Sequence, residues 1–277
     1  MPTADLPAAE ARLQPAGHPE TARRQRLRSS ASTPALTYYD ESVPARIELS
    51  ATTLDNWVAK AANLLSLEFD VSPGDAVGLD MTGNWLQPIW AAAIWGIGGV
   101  VALPDSGAAA TAEVQIISRD RFESLHVSRA ESTSGQSAAA GGSADAGSGS
   151  VAVLVCSNHP LGAPLGSACP PGAIDALAEL PGQPDVATLL PPDPAMNILA
   201  TGSELLTGSA AMLRAGAMAD KASSRIAVAP GRSPEADFFA AVLVPLALSA
   251  STVLVVNAEP SRMTAIARAE RADEWHN

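Results

Sequence analysis

Residues 76–103 read AVGLDMTGNWLQPIWAAAIWGIGGVVAL, and this stretch decides the fold. Ala76 to Met81 is a short apolar run suited to a parallel strand covered on both faces. From Leu86 onward, Ile89, Trp90, Ala93, Ile94 and Ile97 form one helical stripe, and Ala91, Ala92 and Trp95 fill most of the remaining surface. A helix apolar almost all round belongs deep in a core. Trp85, Trp90 and Trp95 recur every five residues, so they spread round the helix and serve packing instead of a ligand-facing stripe. Gly96, Gly98 and Gly99 break the helix before a strand at Val100 to Leu103. The apolar run from Ile89 to Leu103 is too short to span a membrane.

Upstream, Ser50 is a natural N-cap, and Leu54, Trp57, Val58, Ala61, Leu64 and Leu65 recur at helical spacing behind it. Asp55, Asn56 and Lys60 fall on other faces, which makes this helix half-buried, and Gly74 and Asp75 close the turn that follows. The same order returns downstream as helix Thr207 to Lys221, strand Arg225 to Ala229, helix Pro234 to Ser249 and strand Thr252 to Asn257. Ser233 caps the second of these helices, Pro234 suits its first position and Glu235 favours its dipole. Two repeated βα units predict an α/β protein of parallel sheet layers with right-handed crossovers.

The stretches TPALTYYDE (33–41), ELSATTLDNWVAKAANLL (48–65), VSPGDAVGLDMTGNW (71–85) and IWAAAIWGIGGVVAL (89–103) occur in an order that resembles the opening of acyl-CoA synthetases and other adenylate-forming enzymes. Leu205 to Asn257 is similar to the family segment that follows its phosphate loop. Together these cover under half of the chain, and its length resembles a short-form group of AMP-binding-like proteins. The resemblance implies a fold like the N-terminal subdomains of those enzymes, with their C-terminal domain absent. Ala51 and Thr53 stand where the family commonly carries Tyr and Glu.

The resemblance also implies a phosphate loop, a Ser/Thr/Gly-rich run ending in Lys-Gly whose backbone N–H groups cradle phosphate while the lysine neutralises it. Its counterpart is Asn197 to Ser209, NILATGSELLTGS, which keeps Thr201, Gly202, Ser203 and Gly208. Glu204 and Leu206 lie inside this loop, and the only lysines in the chain are Lys60 and Lys221. A carboxylate beside a triphosphate opposes binding, so the loop reads either as a residual ATP or AMP site or as an eroded structural turn. The family's Tyr-Gly-x-Thr-Glu segment has no match, because the only tyrosines are Tyr38 and Tyr39. Its later ribose-binding aspartate and C-terminal lysine find no room in the twenty residues after Asn257.

Gly231 and Arg232 lie between a predicted strand and a predicted helix, where backbone N–H groups and the helix dipole favour a phosphate or carboxylate. The competing reading is an exposed βα loop with a solvated arginine. Gly83 and Asn84 occupy the corresponding loop of the first unit and are expected to cap the next helix. Cys156, His159 and Cys169 form one Cys-x-x-His pair and a distant thiol, short of the two close pairs that zinc usually takes. No metal site and no catalytic residue is assigned, and the thiols read as buried and reduced.

A net charge of −12 and a pI near 4.7 oppose binding to nucleic acid or anionic membrane. With aromatic content at 4%, the core must rely on Ala, Val and Leu. Residues 1–30 carry Arg23, Arg24, Arg26 and Arg28 without an apolar run fit for a signal peptide, and are expected to be a disordered tail. Residues 132–150, STSGQSAAAGGSADAGSGS, read as a flexible loop between subdomains at 31–131 and 151–277. The expected protein is a cytoplasmic, truncated AMP-binding-like domain without catalysis that acts through binding or through assembly, with itself or with a protein partner. The alternatives are an acyl-activating enzyme completed in trans and a small-ligand sensor using Gly202 and Arg232.

Overall fold

The computed structural model describes residues 17–43, 45–125, 151–202, 204–219 and 223–276. Its strands, in chain order, are β1 (Pro34–Asp40), β2 (Ala45–Ser50), β3 (Ala76–Asp80), β4 (Val100–Ala102), β5 (Val114–Ser118) and β6 (Ala152–Cys156), followed by β7 (Ile174–Asp175), β8 (Asn197–Ala200), β9 (Leu205–Thr207), β10 (Arg225–Val228), β11 (Ser251–Val256) and β12 (Asp273–Glu274). One sheet runs β7-β6-β5-β3-β4-β8-β9 and the other β12-β10-β11-β1-β2. Neighbouring strands are parallel except at β1/β2 and β8/β9. The α/β class and the parallel repeats expected from the sequence are both present.

The expected division at 132–150 does not match the sheets. β5 and β6, which flank that stretch in sequence, pair side by side from Val114↔Ala152 to Ser118↔Cys156. β1, from the first expected subdomain, pairs in parallel with β11 of the second, from Leu36↔Thr252 to Asp40↔Val256. Each sheet therefore draws strands from both halves. Residues 132–150 themselves lie outside the described residues.

Helix α1 (Pro19–Ser30) corrects the expected disordered tail over residues 19–30; residues 1–16 lie outside the described residues. It docks through polar contacts. Arg23 pairs with Glu20 at 2.7 Å and with Asp55, and Arg26 donates to the carbonyls of Ala250 (2.9 Å) and Pro34 (2.7 Å). Its arginines thus satisfy carboxylates and strand-end carbonyls, which an apolar-run criterion does not register.

Helix α3 (Gln87–Gly96) is buried, and helix α2 (Ala51–Asn63) packs against it and against β1 and β2 while keeping an exposed edge. Ser50 caps α2 through Thr53 N–H at 3.1 Å, as its sequence position suggests. α3 touches β3 and β4 on one side and residues 239–243 on the other, which accounts for its lack of a polar face. All three tryptophans of the stretch are buried, with Trp85 edge-on to Trp57 and Trp95 Nε1 donating to Ile198 O at 2.8 Å. The helix from Pro234 loosens to a π-turn at Phe239–Leu243 before Pro245, which lacks the N–H that Ala241 O would receive. Thr252 Oγ1 donates to that carbonyl at 3.2 Å.

An extended strap over residues 183–194 crosses the ends of these helices. Lys60 Nζ donates to Gln183 O (2.6 Å) and pairs with Asp185 (2.8 Å), while Asn63 Nδ2 donates to Pro184 O and Val186 O. Leu190 N–H reaches Gly96 O at 2.8 Å, and its side chain lies against Gly98, whose φ of 83° suits glycine. Lys60 is thus committed to holding the strap. Among the described residues, no helix is long and apolar enough to cross a membrane.

Candidate functional site

In open parallel sheets, ligand sites form beyond the carboxyl ends of the strands. A cleft of about 480 Å³ lies there, where the ends of β1, β10 and β11 from one sheet face those of β3, β5 and β6 from the other. The strand ends place polar residues immediately after apolar runs, and those residues form its walls.

Asp40, the last residue of β1, anchors one wall and is only 8% exposed. Its carboxylate accepts from Ser42 N–H (2.9 Å), Ser42 Oγ (2.6 Å), Asn257 Nδ2 (2.8 Å) and the Tyr38 hydroxyl. Burial alone would push its carboxyl up, but these donors outweigh it and hold the group below the usual carboxylate range, so Asp40 is ionised at neutral pH. Burial and the neighbouring Asp40 and Asp120 carboxylates push the Tyr38 phenol up and keep it neutral.

The opposite wall follows β3, β5 and β6. Arg121 pairs with Asp80 at 3.0 Å, and Asp120 accepts from the Asn158 amide. Asn84 Nδ2 in turn donates to Asn158 Oδ1 at 2.8 Å, while Asn84 Oδ1 accepts from Leu86 N–H at 2.8 Å and fixes the turn into α3. Gly83 lines the floor beside Thr82.

Of the residues singled out in the sequence, Gly231 lines this cleft with a φ of 145°. Arg232 turns away. Its backbone N–H (3.2 Å) and its Nε (3.4 Å) meet the carboxylate of Asp237, which also accepts from Gly231 N–H at 2.9 Å. The chain's own carboxylate fills the place considered for an external anion.

Thr201 and Gly202 follow β8 and do not line the cleft, and Ser203 lies outside the described residues. Thr201 is buried, and its N–H donates to Glu204 O at 2.8 Å, closing the β8–β9 turn. The Glu204 carboxylate pairs with Arg214 at 3.0 Å, and Arg214 also holds Glu235 at 2.5 Å.

Cys156 is buried at the end of β6, and burial pushes its thiol up to about 12, a poor nucleophile. Cys169 lies beside the carbonyls of Pro170 and Ala173. Among the described residues, no group of three or more His, Cys, Asp or Glu side chains is placed to hold a metal ion. Sequence reasoning missed Asp40, Asp120, Asn158 and Asn257. The usable signal was positional, since each lies at or just past the carboxyl end of an apolar strand.

No family model matches the chain. Two solved structures define the class of fold. A Brucella canis acyl-CoA synthetase superposes with a TM-score of 0.64 at 15% identity, covering 92% of this chain and 46% of that enzyme. The anthranilate CoA ligase AuaEII, solved with anthranoyl-AMP, gives 0.62 at 14% identity, covering 98% and 50%. The chain therefore has the fold of the N-terminal portion of adenylate-forming enzymes and spans about half the length of the enzymes it matches. In sequence, it is 38% identical over 96 residues to a TIGR03089 family protein of Mycobacterium tuberculosis (strain ATCC 25618 / H37Rv), a match covering 35% of this chain and 38% of that protein.

Proposed function

We propose that the chain is a binding module built on an adenylate-forming fold and does not itself activate carboxylic acids. The observation that carries this is the turn after β8, where Glu204 and Arg214 neutralise one another and the loop sequence has no lysine. Acyl adenylation concentrates negative charge on a phosphoryl group, which enzymes meet with Mg²⁺, backbone donors and prepositioned cations. Here the nearby cation is shared between two carboxylates. Losing one such donor often costs roughly a hundredfold to a thousandfold in rate. The purified chain should give no pyrophosphate exchange over a broad panel of carboxylic acids, and ATP should leave its melting temperature unchanged. Exchange that disappears in Arg232→Ala would replace this reading with a divergent ligase.

The module reading extends to assembly with a second copy or a protein partner, which light scattering and co-purification test. A strictly monomeric chain at high concentration with no co-purifying protein would count against it. A second reading, an acyl-activating enzyme completed in trans, is favoured by the coverage of about half of each solved enzyme. It requires exchange activity to appear when a polypeptide supplying the remainder is added.

A further inference from the structure

Asp40 is held ionised by neutral donors, and no salt bridge pairs it with a cation among the described residues. It is an ionised carboxylate nine-tenths buried, and each hydrogen-bond partner it has among the described residues is neutral: Ser42, Asn257 and Tyr38. Hydrogen bonds from neutral donors offset its burial, so a cation that reaches it has no counter-ion to displace. Among the described residues, Arg121 pairs with Asp80, Arg232 with Asp237 and Arg262 with Glu41.

The space that Asp40 faces is an open cleft of about 480 Å³, within the roughly 300–1,000 Å³ of typical small-molecule sites. Asp120 stands on the facing wall. The amide nitrogens of Asn158 and Asn257 already donate to these two carboxylates, and Arg121 donates to Asp80 through Nε. Counting Asp80 behind Arg121, three carboxylates meet one guanidinium. An anion would be repelled, and the described residues offer no metal-ligand cluster.

We propose that this cleft binds a small organic cation, a primary amine or guanidine compound, whose charged end pairs with Asp40 and whose length reaches Asp120. The proposal rests on the binding-module reading and names its ligand class.

The test uses the intact chain with agmatine as the probe, followed by calorimetry and thermal shift at low and moderate salt. Agmatine should bind one per chain, and Asp120→Asn, an exposed and structurally mild change, should weaken it by about tenfold. Asp40→Asn should weaken it further, and Arg121→Gln, which removes a like charge, should strengthen it. That opposite sign separates ligand recognition from general damage to the fold. Binding of sorbitol or ATP as tight as agmatine, stabilisation by Mg²⁺ alone, or agmatine binding indifferent to all three variants would overturn the proposal. Pyrophosphate exchange is measured on the same preparation. Absence of both exchange and agmatine binding overturns the ligand class alone, whereas exchange overturns the non-catalytic reading.

Discussion

The carboxylate of Asp237 accepts the backbone N–H of Gly231 at 2.9 Å and thereby folds the β10 loop back onto the first turn of its own helix. Asp237 is 2% exposed, so no water can replace it readily. Asp237→Ala leaves the two loop N–H groups without their acceptor and should lower stability by about 1–3 kcal/mol. Urea unfolding measures this, and Asp237→Asn, which keeps one oxygen acceptor, should lose less.

Arg23 is the pivot of α1. Replacing it with Met strands Glu20, which is 1% exposed and among the described residues keeps only Arg24 at 3.5 Å. Breaking a buried pair in this way should cost about 3 kcal/mol. The more exposed partner matters less, and Asp55→Asn should cost under about 1 kcal/mol. Thermal unfolding of both variants checks the ranking.

The strap is held at Gly98. A Cβ there would lie 2.8 Å from the Leu190 side chain and 3.1 Å from Pro73, on a backbone with φ of 83°. Gly98→Ala should therefore cost more than about 1 kcal/mol. Limited proteolysis should show faster cutting within residues 183–194 than in the parent chain.

Glu270 gathers the Tyr39 hydroxyl at 2.5 Å, Arg225 at 2.5 Å and Arg46 at 3.0 Å. Burial pushes its carboxyl up, but bonds from Tyr39, Arg46 and Arg225 outweigh this and hold it below the usual range. A depressed carboxyl contributes stability that is fully present above its unfolded value, near pH 4.3, and is lost as pH falls through the folded value. Unfolding midpoints should drop between about pH 5 and pH 3. Glu270→Gln should be less stable at pH 7 and show a shallower fall in acid.

Much of the local structure was legible because it is written in local patterns. Ser50 and Ser233 do cap their helices, and the stripe through Ile89, Trp90 and Ile94 is buried as its spacing implies. Pairing between distant strands leaves no such mark, so the union of β1 with β11 could not be read. The docking of α1 was hidden for a different reason, since it depends on arginines meeting carbonyls. At the cleft, Gly231 was found through loop position. Asp40 was overlooked because a lone aspartate after TYY carries no motif, and one of its donors, Asn257, lies more than two hundred residues away.

The parallel pairing of β1 with β11 also sets a timetable for synthesis. β1 pairs with β2 as soon as the hairpin emerges, but its other edge waits for a partner roughly 200 residues later. At about 5–20 residues per second, that edge stays open for about 10–40 s. An open apolar edge is a template for the wrong strand. Exposed Arg46 and Glu48 blunt β2, the outer strand of the nascent hairpin. The Leu36–Tyr38 side has no such guard, and a ribosome-bound chain is therefore most vulnerable to mispairing there.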